Sequence, residues 1–227
     1  MTAIWLIIPA AGSGKRFSAD KPKQYYPLLG KTVLEQTVQR FSERTDVQGI
    51  VIAVADDDPW IDTLALPEKV RRVTGGKERV DSVKAALDYV KKHAQADDLV
   101  AVHDAARPCI RQSLLDRLFA QARTESAGIL PVQMVKETVK RVQKGRVIES
   151  LNRDEIALAQ TPQVFSLSLL EQALANDVLV TDDASAVELL GLQPRVIDGD
   201  SLNLKITVAE DLAIAESNLC RILQEND

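Results

Sequence analysis

Pro9-Ala-Ala-Gly-Ser-Gly-Lys-Arg16, closely followed by Lys21-Pro-Lys-Gln24, decides how this chain is read. The stretch sits just past a short apolar run, Ile4 to Ile8. Glycines let backbone N–H groups come close to a ligand, and Lys15, Arg16, Lys21 and Lys23 can balance negative charge. That combination suits a polyphosphate. Two common phosphate-binding designs fail on spacing. A P-loop requires Gly, four residues, then Gly-Lys-Ser/Thr. Here Gly14-Lys15 is followed by Arg16, and Pro9 stands where the first glycine belongs. A dinucleotide fingerprint requires a third glycine three positions after the second, which here is Phe17. Pro22 and Pro27 argue against a helix starting directly after the glycines. The stretch therefore reads as a long cationic loop between a strand and a later helix.

Outward from that loop, apolar runs alternate with helical periodicity. Thr2–Ile8, Gly49–Ala55 and Leu99–Val102 read as buried strands. Val33, Leu34, Thr37, Val38 and Phe41 form a helical stripe, and Val83, Leu87 and Val90 another. Leu114, Leu115, Leu118 and Phe119 repeat it, as do Leu169, Leu170, Ala173 and Leu174, then Leu212, Ala215, Leu219 and Ile222. The alternation predicts an α/β fold, with a mostly parallel sheet and helices on both faces. In such sheets ligands bind beyond the carboxyl ends of the strands. The glycine loop and His103-Asp-Ala-Ala-Arg107 both follow strands, so both fall on the ligand side.

From about residue 135 to 162 the pattern changes to charged, strand-like sequence. Val139 and Val142 precede Lys144-Gly-Arg146, and Val147, Ile148 and Leu151 follow, which reads as a β-hairpin with a glycine-containing turn. A hairpin of this length is only marginally stable alone, so it is expected to be an arm that embraces a second subunit. The plain alternative is a surface hairpin with charged edges.

The 227 residues fit one large domain spanning 1–227, able to bury roughly 70–75% of its unfolded surface. Two distant cysteines, Cys109 and Cys220, predict a reduced, cytoplasmic chain. With only His93 and His103, a histidine-rich metal site is excluded. The first apolar run is too short for a signal or a membrane span, so no membrane partner is expected. A net charge of −5 with no long basic face predicts no nucleic-acid binding.

Three further stretches carry candidate chemistry. Asp104, at a strand end facing the cationic loop, is a natural magnesium or ribose ligand, or else a turn aspartate. His103 beside it reads as a packed, hydrogen-bonded residue. Gly75-Gly-Lys-Glu-Arg-Val-Asp-Ser82 precedes the Val83 helix and could present N–H groups and the Ser82 hydroxyl to a base or sugar; the bland reading is a capped turn. Asn203 and Lys205 are expected in or beside a short strand before the last helix, with Lys205 aimed at a ligand or snorkelling to water.

Taken in order, Pro-Ala-Ala-Gly-Ser-Gly-Lys-Arg, Lys-Pro-Lys-Gln-Tyr, Gly-Gly-Lys-Glu-Arg-Val-Asp-Ser-Val, His-Asp-Ala-Ala-Arg-Pro, Gln-Thr-Pro-Gln, Thr-Asp-Asp-Ala-Ser-Ala and Asn-Leu-Lys-Ile-Thr resemble the 2-C-methyl-D-erythritol 4-phosphate cytidylyltransferase family of the non-mevalonate isoprenoid pathway. The likeness runs from about Ile4 to Leu212. It implies a glycosyltransferase-A-like, Rossmann-like fold with a protruding β-arm, a homodimer joined by that arm at about residues 135–162, and CTP with Mg²⁺. By resemblance, Arg16, Lys23 and Lys205 are catalytic, holding the triphosphate and the transferring phosphoryl group. Ala10, Ala11, Gly12 and Gly14 line the nucleotide, Gly76, Arg79 and Ser82 surround the cytosine, and Asp104 lies by the ribose and the metal. Arg107 lies beside the methylerythritol phosphate, Thr138 and Arg153 reach that of the neighbouring subunit, and Thr161, also read as substrate-binding, lies where the arm rejoins the core. The family pattern has glutamate where this chain has Asp183. No cyclase-type segment follows in these residues, so the monofunctional form is expected. The alternatives are a ribitol-5-phosphate cytidylyltransferase, which shares the nucleotide motifs, a sugar-1-phosphate nucleotidyltransferase, and a non-catalytic nucleotide-binding regulator, which would be expected to lack Lys23 or Lys205.

Overall fold

The structure is a computed structural model that describes residues 2–12, 17, 20–175 and 180–225. Its elements in chain order are β1 (Ile4–Pro9), β2 (Pro27–Leu28), β3 (Lys31–Thr32), α1 (Val33–Ser42), β4 (Val47–Val54), β5 (Val70–Thr74), α2 (Arg79–Lys91), β6 (Leu99–Val102), α3 (Gln112–Ala122) and β7 (Ile129–Met134). They continue with β8 (Lys140–Gln143), β9 (Arg146–Ser150), β10 (Ala157–Ala159), β11 (Gln163–Ser166), α4 (Leu167–Leu174), α5 (Asp183–Glu188), β12 (Arg195–Asp198) and α6 (Asp211–Gln224).

The period of two in β1 divides the core. Ile4, Leu6 and Ile8 face Leu34, Val38 and Phe41 of α1 and Leu114, Leu115 and Leu118 of α3. Trp5 and Ile7 face the opposite way, onto Val83, Leu87 and Val90 of α2 and Leu169 and Leu170 of α4. Four of the expected helical stripes are therefore found on the two faces of one sheet. A third cluster seats α6: Ala215, Leu219 and Ile222 pack on Val33, Ala106, Cys109 and Ile206. Phe41, Phe119 and Phe165 are fully buried, and truncating any of them to alanine costs about 3–5 kcal/mol.

The sheet runs β10-β7-β11-β6-β1-β4-β5, with β12 paired to β7. β1 is parallel to β4 and β6, β4 to β5, and β12 to β7, whereas β11 and β10 run antiparallel to their neighbours. The sheet is thus mixed and mostly parallel. Helix α1 starts at Thr32, where Thr32-Val-Leu-Glu35 closes a capping box.

β8 and β9 form the expected hairpin, whose turn has Lys144 at φ 48° and Gly145 at φ 74°. Two positive φ values in succession match the twist of the flanking strands, and glycine at the second position makes this inexpensive. Every residue of both strands is exposed. One expectation is corrected: Asn203 to Thr207 form no strand but a loop, docked by the Ile206 N–H on the Ala106 carbonyl at 2.9 Å. Among the described residues no helix is long and apolar enough to cross a membrane.

Candidate active site

The carboxyl ends of β1, β5 and β6 open into one cleft of about 300 Å³. Ala10, Ala11 and Gly12 line it from the end of β1, Gly76, Arg79 and Ser82 from the start of α2, Asp104 from the end of β6, and Lys23 and Lys205 from two loops. Motifs separated by almost the whole chain therefore meet in one place, as the ends of a parallel sheet dictate. Arg16 and Gly14 lie outside the described residues.

The loop after β1 is held from behind. Ala10 N–H continues the ladder to the Ala53 carbonyl at 2.7 Å. The buried Gln24 amide donates to the carbonyls of Ala10 at 2.7 Å and Gly12 at 3.3 Å. Gln24 was visible only as part of the Lys-Pro-Lys-Gln motif; its role depends on a contact across the loop. Its neighbour Lys23 donates from Nζ to the Ile206 carbonyl at 2.6 Å, tying the loop after β1 to the one before α6.

The turn into α2 is compact because it needs glycine. A Cβ on Gly76 would lie 2.2 Å from Asp81 Cβ. Glu78 and Asp81 close a reciprocal cap on the helix start. Ser82 Oγ accepts from the Gly76 N–H at 3.2 Å, so the Ser82 hydroxyl braces the turn whose residues line the cleft.

Asp104 is the electrostatic centre. Lys205 Nζ lies 2.9 Å from its Oδ2, Arg107 Nε 3.3 Å from the same oxygen, and Arg79 Nε 3.4 Å from Oδ1. Burial alone would raise its pKa, but the Lys205, Arg79 and Arg107 charges outweigh that and hold the carboxyl well below the usual range. Arg107 is turned inward, donating to the Asn203 carbonyl at 2.7 Å, and does not line the cleft.

Behind Asp104 stands a neutral hub. His103 Nε2 is 3.0 Å from the Arg107 carbonyl, which can only accept, so Nε2 carries the proton. Nδ1 then accepts from the Thr161 hydroxyl at 3.1 Å, and that oxygen accepts the Asp104 N–H at 3.1 Å. Burial pushes the His103 pKa down to about 4. Thr161, read by resemblance as a substrate contact, is buried with its hydroxyl engaged by His103 and Asp104. Thr138 and Arg153 lie on the arm side, outside the cleft lining; Arg153 Nη1 donates to the Lys136 carbonyl at 2.8 Å.

The cleft offers a divalent cation few protein ligands. No cluster of three or more His, Cys, Asp or Glu exists among the described residues. A lone carboxylate is nonetheless what Mg²⁺ uses when substrate phosphates complete its shell. Asp104 is the residue that could supply that carboxylate, and its partner Lys205 is 43% exposed.

The chain is similar to known proteins over nearly its whole length. The family model for 2-C-methyl-D-erythritol 4-phosphate cytidylyltransferase matches residues 4–221. The protein of that name from Aliivibrio fischeri is 44% identical over 98% of this chain and 96% of its own length. A crystal structure of a 4-diphosphocytidyl-2C-methyl-D-erythritol synthase superposes with TM-score 0.86 at 36% identity, covering 96% of this chain and 99% of that one. The 2-C-methyl-D-erythritol 4-phosphate cytidylyltransferase of Francisella tularensis superposes with TM-score 0.83 at 36% identity, covering 96% of this chain and all of that one.

Proposed function

The chain belongs to the 2-C-methyl-D-erythritol 4-phosphate cytidylyltransferase family, and from that premise we propose how its cleft works. It transfers the cytidylyl group of CTP to 2-C-methyl-D-erythritol 4-phosphate, giving 4-diphosphocytidyl-2-C-methyl-D-erythritol and pyrophosphate in isoprenoid precursor synthesis. The observation that carries the reading is the convergence of Lys23 and Lys205 with Asp104 on one cleft, at the end of a glycine-bearing loop.

The nucleophile is a phosphate monoester whose second pKa is near 6, so it is mostly dianionic at neutral pH. No general base is required, which agrees with a site whose one nearby histidine, His103, is buried and committed to Thr161 and Arg107. A phosphate oxygen attacks the α-phosphorus, the α–β bridging bond breaks, and pyrophosphate leaves with the electron pair. The obstacle is one anion approaching another. Lys23 and Lys205 offset that repulsion and stabilise charge on the α-phosphate, and Arg16 is assigned the same role. Mg²⁺, held by Asp104 and the nucleotide phosphates, would supply further charge neutralisation. Release of Lys205 from Asp104 would free its ammonium for the α-phosphate.

The arm is assigned to a homodimer. Val142, Val147 and Ile148 of the hairpin and Leu158 of β10 are more than half exposed, an unusual apolar load for a free surface. In that assembly Thr138 and Arg153 would contact the acceptor phosphate of the neighbouring subunit. The free thiols Cys109 and Cys220 support a reduced, cytoplasmic setting.

The test is pyrophosphate release from Mg²⁺ and CTP, with methylerythritol 4-phosphate and ribitol 5-phosphate offered separately. Turnover with the first alone is expected. Turnover with the second alone would move the protein to the ribitol activity, and none with either would refute the reading.

A further inference from the structure

Gln163 and the Thr181–Ala186 stretch supply a buried support behind Arg79. Asp183 is 1% exposed, and its Oδ2 lies 2.8 Å from Arg79 Nη2. Arg79 Nε points the other way, 3.4 Å from Asp104 Oδ1, and its side chain lines the cleft. One guanidinium is thus strung between two carboxylates, one deep and one at the site.

Asp183 itself is fixed on both sides. Gln163, also 1% exposed, donates from Nε2 to Asp182 Oδ2 at 2.7 Å and accepts the Ala184 N–H at 2.8 Å on Oε1. Asp182 and Ser185 cap α5 reciprocally. The residues before and after Asp183 are therefore pinned to β11, beside β6 and Asp104.

We infer that Asp183, seated by Gln163, is a positioning residue that sets Arg79 for the nucleotide. The inference rests on the cytidylyltransferase reading of the cleft. An arginine presents its N–H donors in a rigid planar fork, so fixing two of them fixes where the others aim. A guanidinium tied at one end only is free to pivot. Without the Asp183 charge, Arg79 falls back on Asp104, the other carboxylate it touches among the described residues, and draws that carboxylate away from Lys205. A glutamate at this position keeps the charge and the tether, so it should substitute for Asp183.

The experiment compares CTP affinity by calorimetry, without acceptor, and steady-state kinetics for the full-length wild type, Asp183→Asn and Asp183→Glu. Asp183→Asn is expected to raise the CTP Kd and KM at least tenfold, with the acceptor KM and kcat changed less than threefold. Asp183→Glu is expected to return the CTP values to within threefold of wild type. A merely structural aspartate would lower the active fraction and leave the CTP KM unchanged. Gln163→Leu keeps both charges and should weaken CTP in the same direction; it gives the same reading should Asp183→Asn fold poorly. Wild-type CTP affinity in a folded Asp183→Asn or Gln163→Leu protein overturns the positioning role alone. A wild type that binds no CTP overturns the activity on which it rests.

Discussion

The Thr161 hydroxyl lies 3.1 Å from His103 Nδ1 across 58 residues of sequence, and the same oxygen accepts the Asp104 N–H. With the hydroxyl as donor, this bond requires a neutral His103. An unfolded histidine takes up its proton near pH 6.5, whereas the folded one does so at about pH 4. Between those values the unfolded chain binds more protons, so this contribution to stability is present above pH 6.5 and is lost as pH falls through 4. The span of about 2.5 pH units corresponds to about 3 kcal/mol. Urea titrations at pH 7, 5.5 and 4.5 should show His103→Gln less stable at pH 7 and with a shallower acid slope. Equal slopes in the two proteins would refute the neutral hub.

Lys23→Ala should lower kcat by roughly 10²–10³, about 3–4 kcal/mol, with a much smaller rise in the CTP KM. The asymmetry follows from what the lysine offsets, which is charge that grows as the anions meet. Steady-state kinetics with CTP varied at saturating acceptor decide it. An unchanged kcat with a weakened KM would reduce Lys23 to a binding residue.

Much of this site was legible because its residues are local. The glycine loop, Gly75–Ser82, Asp104 and Lys205 each follow or precede an element whose period shows in sequence, and parallel strands bring such loops to one end. The supports were not legible. Gln24, Gln163 and Asp183 are buried polar residues whose partners lie 12 to 104 positions away, and no periodicity encodes such a pairing. Among the strands, β5 carries Arg71 and Arg72 on an exposed edge and shows no apolar run, and β12 is likewise mostly exposed. β11 is short, and its antiparallel place between β6 and β7 is a tertiary fact. The stretch at Lys205 resembles a strand in its sequence alternation, but its backbone is held through Ile206 on Ala106 and not by a ladder.

Gly76→Ala should weaken CTP binding roughly tenfold or more. The added Cβ lies 2.2 Å from Asp81 Cβ, and Asp81 Oδ2 holds the Glu78 N–H in the cap that starts α2. Either the turn or the helix start must move. Overpacking of this kind costs about 1–3 kcal/mol, and 1.4 kcal/mol is a tenfold change in affinity. Calorimetry with CTP, checked against the melting temperature, measures it. Gly145→Ala is the control, because nothing lies within 4 Å of its Cβ and its φ of +74° strains only the arm turn. Equal CTP affinity in Gly76→Ala and wild type would remove this turn from the nucleotide site.

The arm gives the last prediction, which rests on the proposed homodimer. Arg153 lies outside the cleft lining of its own chain and is exposed. If it serves the partner's site, Arg153→Ala and Lys23→Ala damage different halves of each composite site. In a heterodimer of the two, one site combines the intact cleft of one subunit with the intact arm of the other, and the second site carries both lesions. Free exchange at equal mixing makes half the dimers mixed, so about a quarter of wild-type activity should return from two nearly inactive preparations. Native mass spectrometry of the mixture verifies exchange. Proven exchange without recovery would mean that Arg153 acts within its own chain or not at all, and the arm would then be a dimer contact with no part in the site.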